Sequence, residues 1–336
     1  MSFATQMNRK PGRSRVSWRD GVHLVGTPIW CDASLLRQVC FVSSADAAGT
    51  AKHHQMIATE GTHTLLNAIA GKDKNSALST PLGRPFTLGS HRLELFASGV
   101  GMGAASLVAD VGESRIVYAG SINTQPSPTA QTSDVRTCDT LIIDGEYADE
   151  HYIFPSFDEA ADLTAKHCNA VTREGGVSIL LVRTVTKAID VAIALANRGL
   201  DLSAHRSFFT VMKQLGETLG LKRIRRATNT PKPGTTILWP LKARSTLNRI
   251  SVPEKSQITL LSGRAKDSSF VEALEIDGAI AWSQKADSKQ LAQYINTTGA
   301  SDVHFLGSRE TSSWKQIRGT GANVFPLGPP RQMSLF

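Results

Sequence analysis

Between Thr140 and Asn197 the chain alternates twice between a short apolar run and an amphipathic stretch, and that rhythm limits the folds open to it. Thr140-Leu141-Ile142-Ile143 reads as a strand ending at Asp144. A helix is predicted from about Ser156 to Arg173, capped by Ser156, with Asp158 and Glu159 in its first turn, where the helix dipole favours acids. Gly175-Gly176 breaks it. Val177 to Val182 reads as a second strand, and Lys187 to Asn197 as a second helix stopped by Gly199. Strand and helix in this order favour mostly parallel pairing in a layered α/β fold.

The flanks carry shorter signals. Val39-Cys40-Phe41-Val42, Met56-Ile57-Ala58, Leu93 to Leu95 and Ile116 to Ala119 read as strands, with a helix from about Gly61. Ile258 to Leu261 and Ala279 to Trp282 resume strand character, Ser288 to Thr297 is an amphipathic helix, and Val303 to Leu306 reads as a last strand. With 336 residues, 41% of them hydrophobic, the chain can bury one large core or two moderate ones. No stretch approaches the roughly 20 apolar residues that cross a bilayer, and Met1 to Arg19 lacks the apolar core of a secretory signal. The cytoplasm is the expected compartment. Cys31, Cys40, Cys138 and Cys168 are far apart, form no Cys-x-x-Cys pair and are expected as buried thiols.

The net charge is +8, and its placement says more than its size. From Glu217 to Glu254 no acid intervenes, while Lys222, Arg223, Arg225, Arg226, Lys232, Lys242, Arg244 and Arg249 fall in that window. Arg9, Lys10, Arg13, Arg15 and Arg19 open the chain, and residues 1–20 read as a flexible basic arm. Such segregation suits a phosphate backbone; a solvated face that aids solubility is the plainer alternative. Trp239 is the sole aromatic within the internal run, so no base-stacking platform is evident there.

The last five residues, Gln332-Met333-Ser334-Leu335-Phe336, resemble the peptide by which bacterial replication and repair proteins dock onto the sliding clamp, usually Gln-Leu-Ser/Asp-Leu-Phe. An extended peptide can place Met333, Leu335 and Phe336 in apolar pockets while the Gln332 amide donates and accepts at the rim. Pro326-Leu327-Gly328-Pro329-Pro330 is expected to act as a stiff spacer, residues 326–336 forming a clamp-binding tail. An apolar end packed on its own domain is the alternative.

From about Trp30 to Val324 the order of elements resembles the metallo-β-lactamase fold of the β-CASP nuclease type. It is most similar to bacterial exonucleases associated with ATP-dependent DNA ligase, also labelled mRNA 3′-end-processing-like. The resemblance implies an αββα sandwich from residues 21–155 and 255–325, with a β-CASP-like α/β domain inserted at 156–254. In that family a His-x-His-x-Asp-His loop follows a strand. Here Ser44 and Asp46 stand at the first two histidine positions, Ala48 at the aspartate and Gly49 at the last histidine. Gly99-Val100-Gly101-Met102-Gly103 puts Val100 where a Gly-His-x-x-Gly loop has its ligand. Gly120-Ser121 stands for Gly-Asp, Lys285 replaces the histidine of Ser-Asp-His-Ala-Asp, and Leu306-Gly307-Ser308 stands for Thr-His-Gly. Asp144 matches an acidic position within Asp144-Gly145-Glu146-Tyr147.

A two-metal phosphodiesterase needs imidazoles and carboxylates converging on both ions. Val, Ala and Gly offer no side-chain donor, and a lysine brings an ammonium instead. The resemblance therefore implies a kept frame without metal hydrolysis: no cofactor, no metal and no catalytic residue at Ser44, Asp46, Ala48, Gly49, Val100, Ser121, Lys285 or Gly307. His53, His54 and His63 are a weak candidate for a makeshift metal site. Gly99 to Gly103 could cradle a phosphate through its amides, but lacks the ending of a nucleotide P-loop. The expected protein is a pseudoenzyme that holds DNA through Lys222, Arg223, Arg225, Arg226, Lys242, Arg244 and Arg249. Its expected partners are DNA, the bacterial sliding clamp and, by resemblance, a ligase, helicase or active nuclease; no membrane is expected. The alternatives are an active DNA or RNA exonuclease with an unorthodox metal site, and a module whose basic face meets an acidic protein.

Overall fold

A computed structural model describes residues 15–47, 52–71, 77–221, 223–307 and 315–329. The described residues form a mixed α/β protein with three sheets. The first sheet begins with β1 (Val16–Trp18), β2 (Val22–Leu24), β3 (Ile29–Cys31), β4 (Val39–Phe41) and β5 (Gln55–Ala58). Helix α1 (Glu60–Ala70) follows, and β6 (Ala77–Ser79) completes the sheet in sequential order. Pairing is antiparallel from β1 to β3 and parallel from β3 to β6.

The second sheet takes β7 (Phe86–Leu88), β8 (His91–Ala97), β9 (Ala105–Val111), β10 (Ser114–Gly120) and β11 (Thr140–Asp144). After α2 (Phe157–Arg173) the third sheet begins with β12 (Ser178–Val182), α3 (Val185–Ala196), β13 (Leu202–Ala204), α4 (Arg206–Leu219), β14 (Arg225–Arg226) and β15 (Thr236–Pro240). A 3₁₀ helix (Leu241–Arg249) leads to β16 (Gln257–Leu261); a second, short 3₁₀ turn and α5 (Ser268–Glu272) lead to β17 (Gly278–Ile280). The chain then returns to the second sheet through α6 (Ser288–Thr298), β18 (Asp302–Leu306), α7 (Lys315–Arg318) and β19 (Asn323–Leu327).

Alternation along the strands explains the layering. Val22, Leu24, Ile29, Phe41 and Ile57 face Leu93, Leu95, Leu107, Ile116 and Ile142, so the first two sheets pack face to face. The other face of the second sheet buries Val117, Leu141 and Phe305 against Leu291, Tyr294 and Ile295 of α6. The third sheet is parallel throughout, in the order β14-β13-β15-β12-β16-β17, as the strand-helix rhythm requires. Its two faces are covered by α2, α3 and α4 on one side and by the long 3₁₀ helix with Phe270 and Leu274 on the other.

Local signals hold closely where the chemistry is explicit. Ser156 Oγ accepts from the Glu159 amide at 3.2 Å and Glu159 Oε2 accepts from the Ser156 amide at 2.7 Å, which starts α2 where expected. Asp287 and Gln290 cap α6 reciprocally. Three expectations differ. Val16–Trp18, at the end of the segment read as a basic arm, pairs with β2. The third sheet includes β16 and β17, so it continues past residue 254. Pro326 and Leu327, read as spacer, lie in β19 beside β18. Proline is tolerated there because β19 is an edge strand, where a missing N–H breaks no central ladder.

The glycine loop between β8 and β9 fits against the start of α1. Thr59 and Thr62 hydroxyls both donate to the Gly103 carbonyl, at 2.5 and 2.7 Å. Gly103 has φ +74°, and a Cβ there would lie 2.2 Å from the Thr62 nitrogen. Gly103→Ala is therefore expected to cost about 2 kcal/mol or more in urea unfolding, whereas Gly112→Ala, at similar φ but in open space, should cost less.

Candidate functional site

Strand ends from all three sheets meet at one place. Asp32 follows β3, Ser43 to Ala47 follow β4, Ser121 follows β10 and Asp144 ends β11. Arg183 and Thr184 follow β12, Ser262 follows β16, and Ser283 to Lys285 lie beyond β17. These residues line a cavity of about 320 Å³, which joins a wider cleft of about 790 Å³ through Asp144, Glu146, Arg183 and Lys285. In open α/β sheets the carboxyl ends of strands are where ligands are bound.

The centre of the site is an ammonium held by two carboxylates. Lys285 Nζ donates to Asp144 Oδ2 at 2.5 Å and to Glu146 Oε2 at 2.7 Å. Ser121 Oγ donates to the same Asp144 oxygen at 2.7 Å, and the Glu146 amide reaches Asp144 Oδ1 at 2.8 Å. Arg183 closes the other side of Glu146 at 3.1 Å. Burial pushes the Asp144 carboxyl up, but the Lys285 ammonium, the Ser121 hydroxyl and the Glu146 amide together hold it below its ordinary value. Burial likewise disfavours the ammonium, yet Asp144 and Glu146 keep the Lys285 pKa above the usual amine range.

Asp46 serves a different purpose. Its carboxylate lies by the Thr184 hydroxyl and the Val185 and Thr186 amides, beside the first turn of α3, whose cap is the Thr184 side chain. Burial outweighs these contacts and pushes its pKa up to about 6. One turn along α3, Asp190 accepts from Thr129 Oγ1 at 2.6 Å and Gln284 Nε2 at 2.5 Å; burial pushes it too up to about 6. Lys187 sends Nζ to the carbonyls of Leu261, at 2.8 Å, and Trp282, and burial lowers it to about 7. Asp32, at φ +46°, accepts from the Ser43 amide at 2.8 Å, the Ser43 hydroxyl at 2.6 Å and the Tyr118 hydroxyl at 2.8 Å.

Of the positions singled out in sequence, Ser44, Asp46, Val100, Ser121 and Lys285 converge on the cavity, and Gly307 lines the adjoining cleft. Ala48 and Gly49 lie outside the described residues. Among the described residues, side chains at these positions lack a donor atom or are engaged elsewhere. Val100 has no donor atom, Ser44 Oγ accepts from the Ala47 amide at 3.1 Å, Asp46 is tied to α3, and Lys285 holds Asp144. Among the described residues no group of three or more His, Cys, Asp or Glu side chains is placed to hold an ion, His53, His54 and His63 included. Asp32, Arg183 and Asp190 were missed in sequence. The usable signal for Asp32 and Arg183 was a charged residue directly after an apolar strand.

The basic positions also gather. Arg223 and, in β14, Arg225 and Arg226 are exposed; Lys242 and Arg249 are exposed and Arg244 half-buried on the long 3₁₀ helix. Ala227, Leu241, Ala243 and Leu247 pack against the same buried cluster of the third sheet, and the Ser251 amide donates to the Asn229 carbonyl at 2.7 Å. Arg225 is paired with Asp201. Lys222 and the tail Gln332, Met333, Ser334, Leu335 and Phe336 lie outside the described residues. All four cysteines are free and buried. No described helix is long and apolar enough to cross a membrane.

No family model matches the chain. It is similar to a curated protein of Opitutus terrae (strain DSM 11246 / JCM 15787 / PB90-1) named "Probable DNA ligase", at 22% identity over 326 residues. The match covers 95% of this chain and 32% of that protein, so the chain spans about a third of its relative's length.

Two outcomes follow from these buried contacts. Lys285→Met leaves two carboxylates facing each other and is expected to cost about 3 kcal/mol at pH 7 in urea unfolding, with Lys285→Arg milder. The raised Asp190 carboxyl contributes stability that is fully present below its ordinary pKa and is lost as pH rises through about 6. Wild-type stability minus that of Asp190→Asn should therefore fall by about 3 kcal/mol between pH 4 and pH 7.

Proposed function

We propose that this protein works in DNA metabolism as a non-hydrolytic member of the β-CASP metallo-β-lactamase group. One observation carries the reading. Five positions where that group has metal ligands surround one cavity, and there an ammonium stands between Asp144 and Glu146. A carboxylate pair that would attract a divalent cation is neutralised internally. The helix, paired sheets and helix formed by α1, the first two sheets and α6 support the sandwich assignment. In this reading the inserted unit is built on the third sheet and extends through β17.

Similarity to a protein named as a ligase supports DNA as the partner. The grip is assigned to Arg223, Arg226, Lys242, Arg244 and Arg249, with Lys222 added from the sequence. Gln332 to Phe336 is assigned to the bacterial sliding clamp, which would raise the local concentration of the protein at DNA without further contacts. A ligase, helicase or active nuclease of the same pathway is the expected companion, and the cytoplasm the expected compartment.

The test has three readouts on the full chain. Duplex affinity should fall steeply with added salt, and Arg226→Glu with Lys242→Glu should weaken it at least tenfold. Deleting Leu335 and Phe336 should abolish clamp binding and leave DNA affinity unchanged. Incubation with manganese or zinc should release no nucleotides from labelled DNA or RNA. Metal-stimulated cleavage would instead favour an exonuclease with an unorthodox site.

A further inference from the structure

A second basic surface lies on the outer face of the first sheet, away from the cavity. Val22, Leu24, Ile29 and Cys31 point into the core, so by alternation His23 and Trp30 point outward. They are register partners on adjacent strands, as are Ser17 and His23. The His23 and Trp30 rings stack, with centroids 4.6 Å apart and planes 15° from parallel. The Arg37 guanidinium lies 3.8 Å from the Trp30 ring centre and donates to the Arg19 carbonyl at 2.6 Å. Its buried Nε has no hydrogen-bond partner. His23, Trp30 and Arg37 are each half-buried, so their stack reaches the surface.

The surroundings are basic with an apolar element. Arg15, Arg19 and Lys52 are exposed, and so are Leu35 and Leu36, beside Arg37. In residues 15–38 the acids are Asp20 and Asp32, and Asp32 is turned to the cavity by Ser43 and Tyr118. We propose that the His23-Trp30-Arg37 stack is a binding platform for single-stranded nucleic acid. Trp30 is covered by His23 and Arg37, so bases lie on the outer faces of the His23 ring and the Arg37 guanidinium and against Leu35 and Leu36, and the arginines meet phosphates. Every base has a π-face, so such a platform binds without sequence preference, and cations beside the rings hold the backbone. A duplex keeps its bases stacked inside and gains nothing from an aromatic ladder. This platform rests on the nucleic-acid reading above but uses a different face from β14 and the long 3₁₀ helix.

The test compares labelled oligo-dT with a duplex of equal length, using the full chain. Arg37→Glu and His23→Ala should each weaken oligo-dT binding at least tenfold and change duplex binding less than twofold. Oligo-dT carrying 5-iodouracil should photocrosslink within residues 17–37. Folded variants that keep wild-type oligo-dT affinity, or crosslinks confined to other segments, would overturn the platform and leave the duplex surface standing. Equal binding of polyglutamate and oligo-dT by the stack would also overturn it, since charge alone would then account for the surface. A wild-type protein that binds no nucleic acid would overturn both readings.

Discussion

The site depends on one ammonium. Lys285 reaches the end of the second sheet from a segment that follows the third, and joins the Asp144 and Glu146 carboxylates there. Ser121 and Arg183 complete the chain of contacts, so residues after β10, β11, β12 and β17 share one electrostatic unit. A charge taken out of water is tolerable only when paired and hydrogen-bonded. Here each carboxylate has more than one donor, and the ammonium has two acceptors at short range.

A second polar seam runs along α3. Thr184 caps its amino terminus with the Asp46 carboxylate alongside, and Asp190 binds Thr129 and Gln284. Gly101 lets the loop come close: a Cβ there would lie 3.4 Å from both Thr186 Cβ and Gln284 Nε2. An apolar seam would tolerate sliding, whereas fixed donors and acceptors select one registration. The cavity walls are thus held by directional bonds as well as by packing.

Much of the frame was legible because its signals are local. Capping at Ser156, the apolar runs at Thr140 and Val177 and the glycine stops name their elements without tertiary context. Three-residue strands such as β1 to β3 were harder, since so few residues show little alternation and pairing supplies their order. β19 was hidden by Pro326, which reads as a breaker until its edge position is known. Ser44, Val100, Ser121 and Lys285 were named in sequence, and they line one cavity. Asp32, Asp190 and the Arg37-Trp30 stack were not named, because their meaning lies in partners distant along the chain.

The Asp46 carboxylate beside the first turn of α3 bears on the order of assembly. The amino-terminal segment leaves the ribosome well before α3 exists, so this carboxylate must stay hydrated until its helix arrives. The first turn of α3 gains these acceptors only when the two parts of the chain dock. A fragment cut out around the third sheet would keep the Thr184 cap and lose the Asp46 carboxylate beside it.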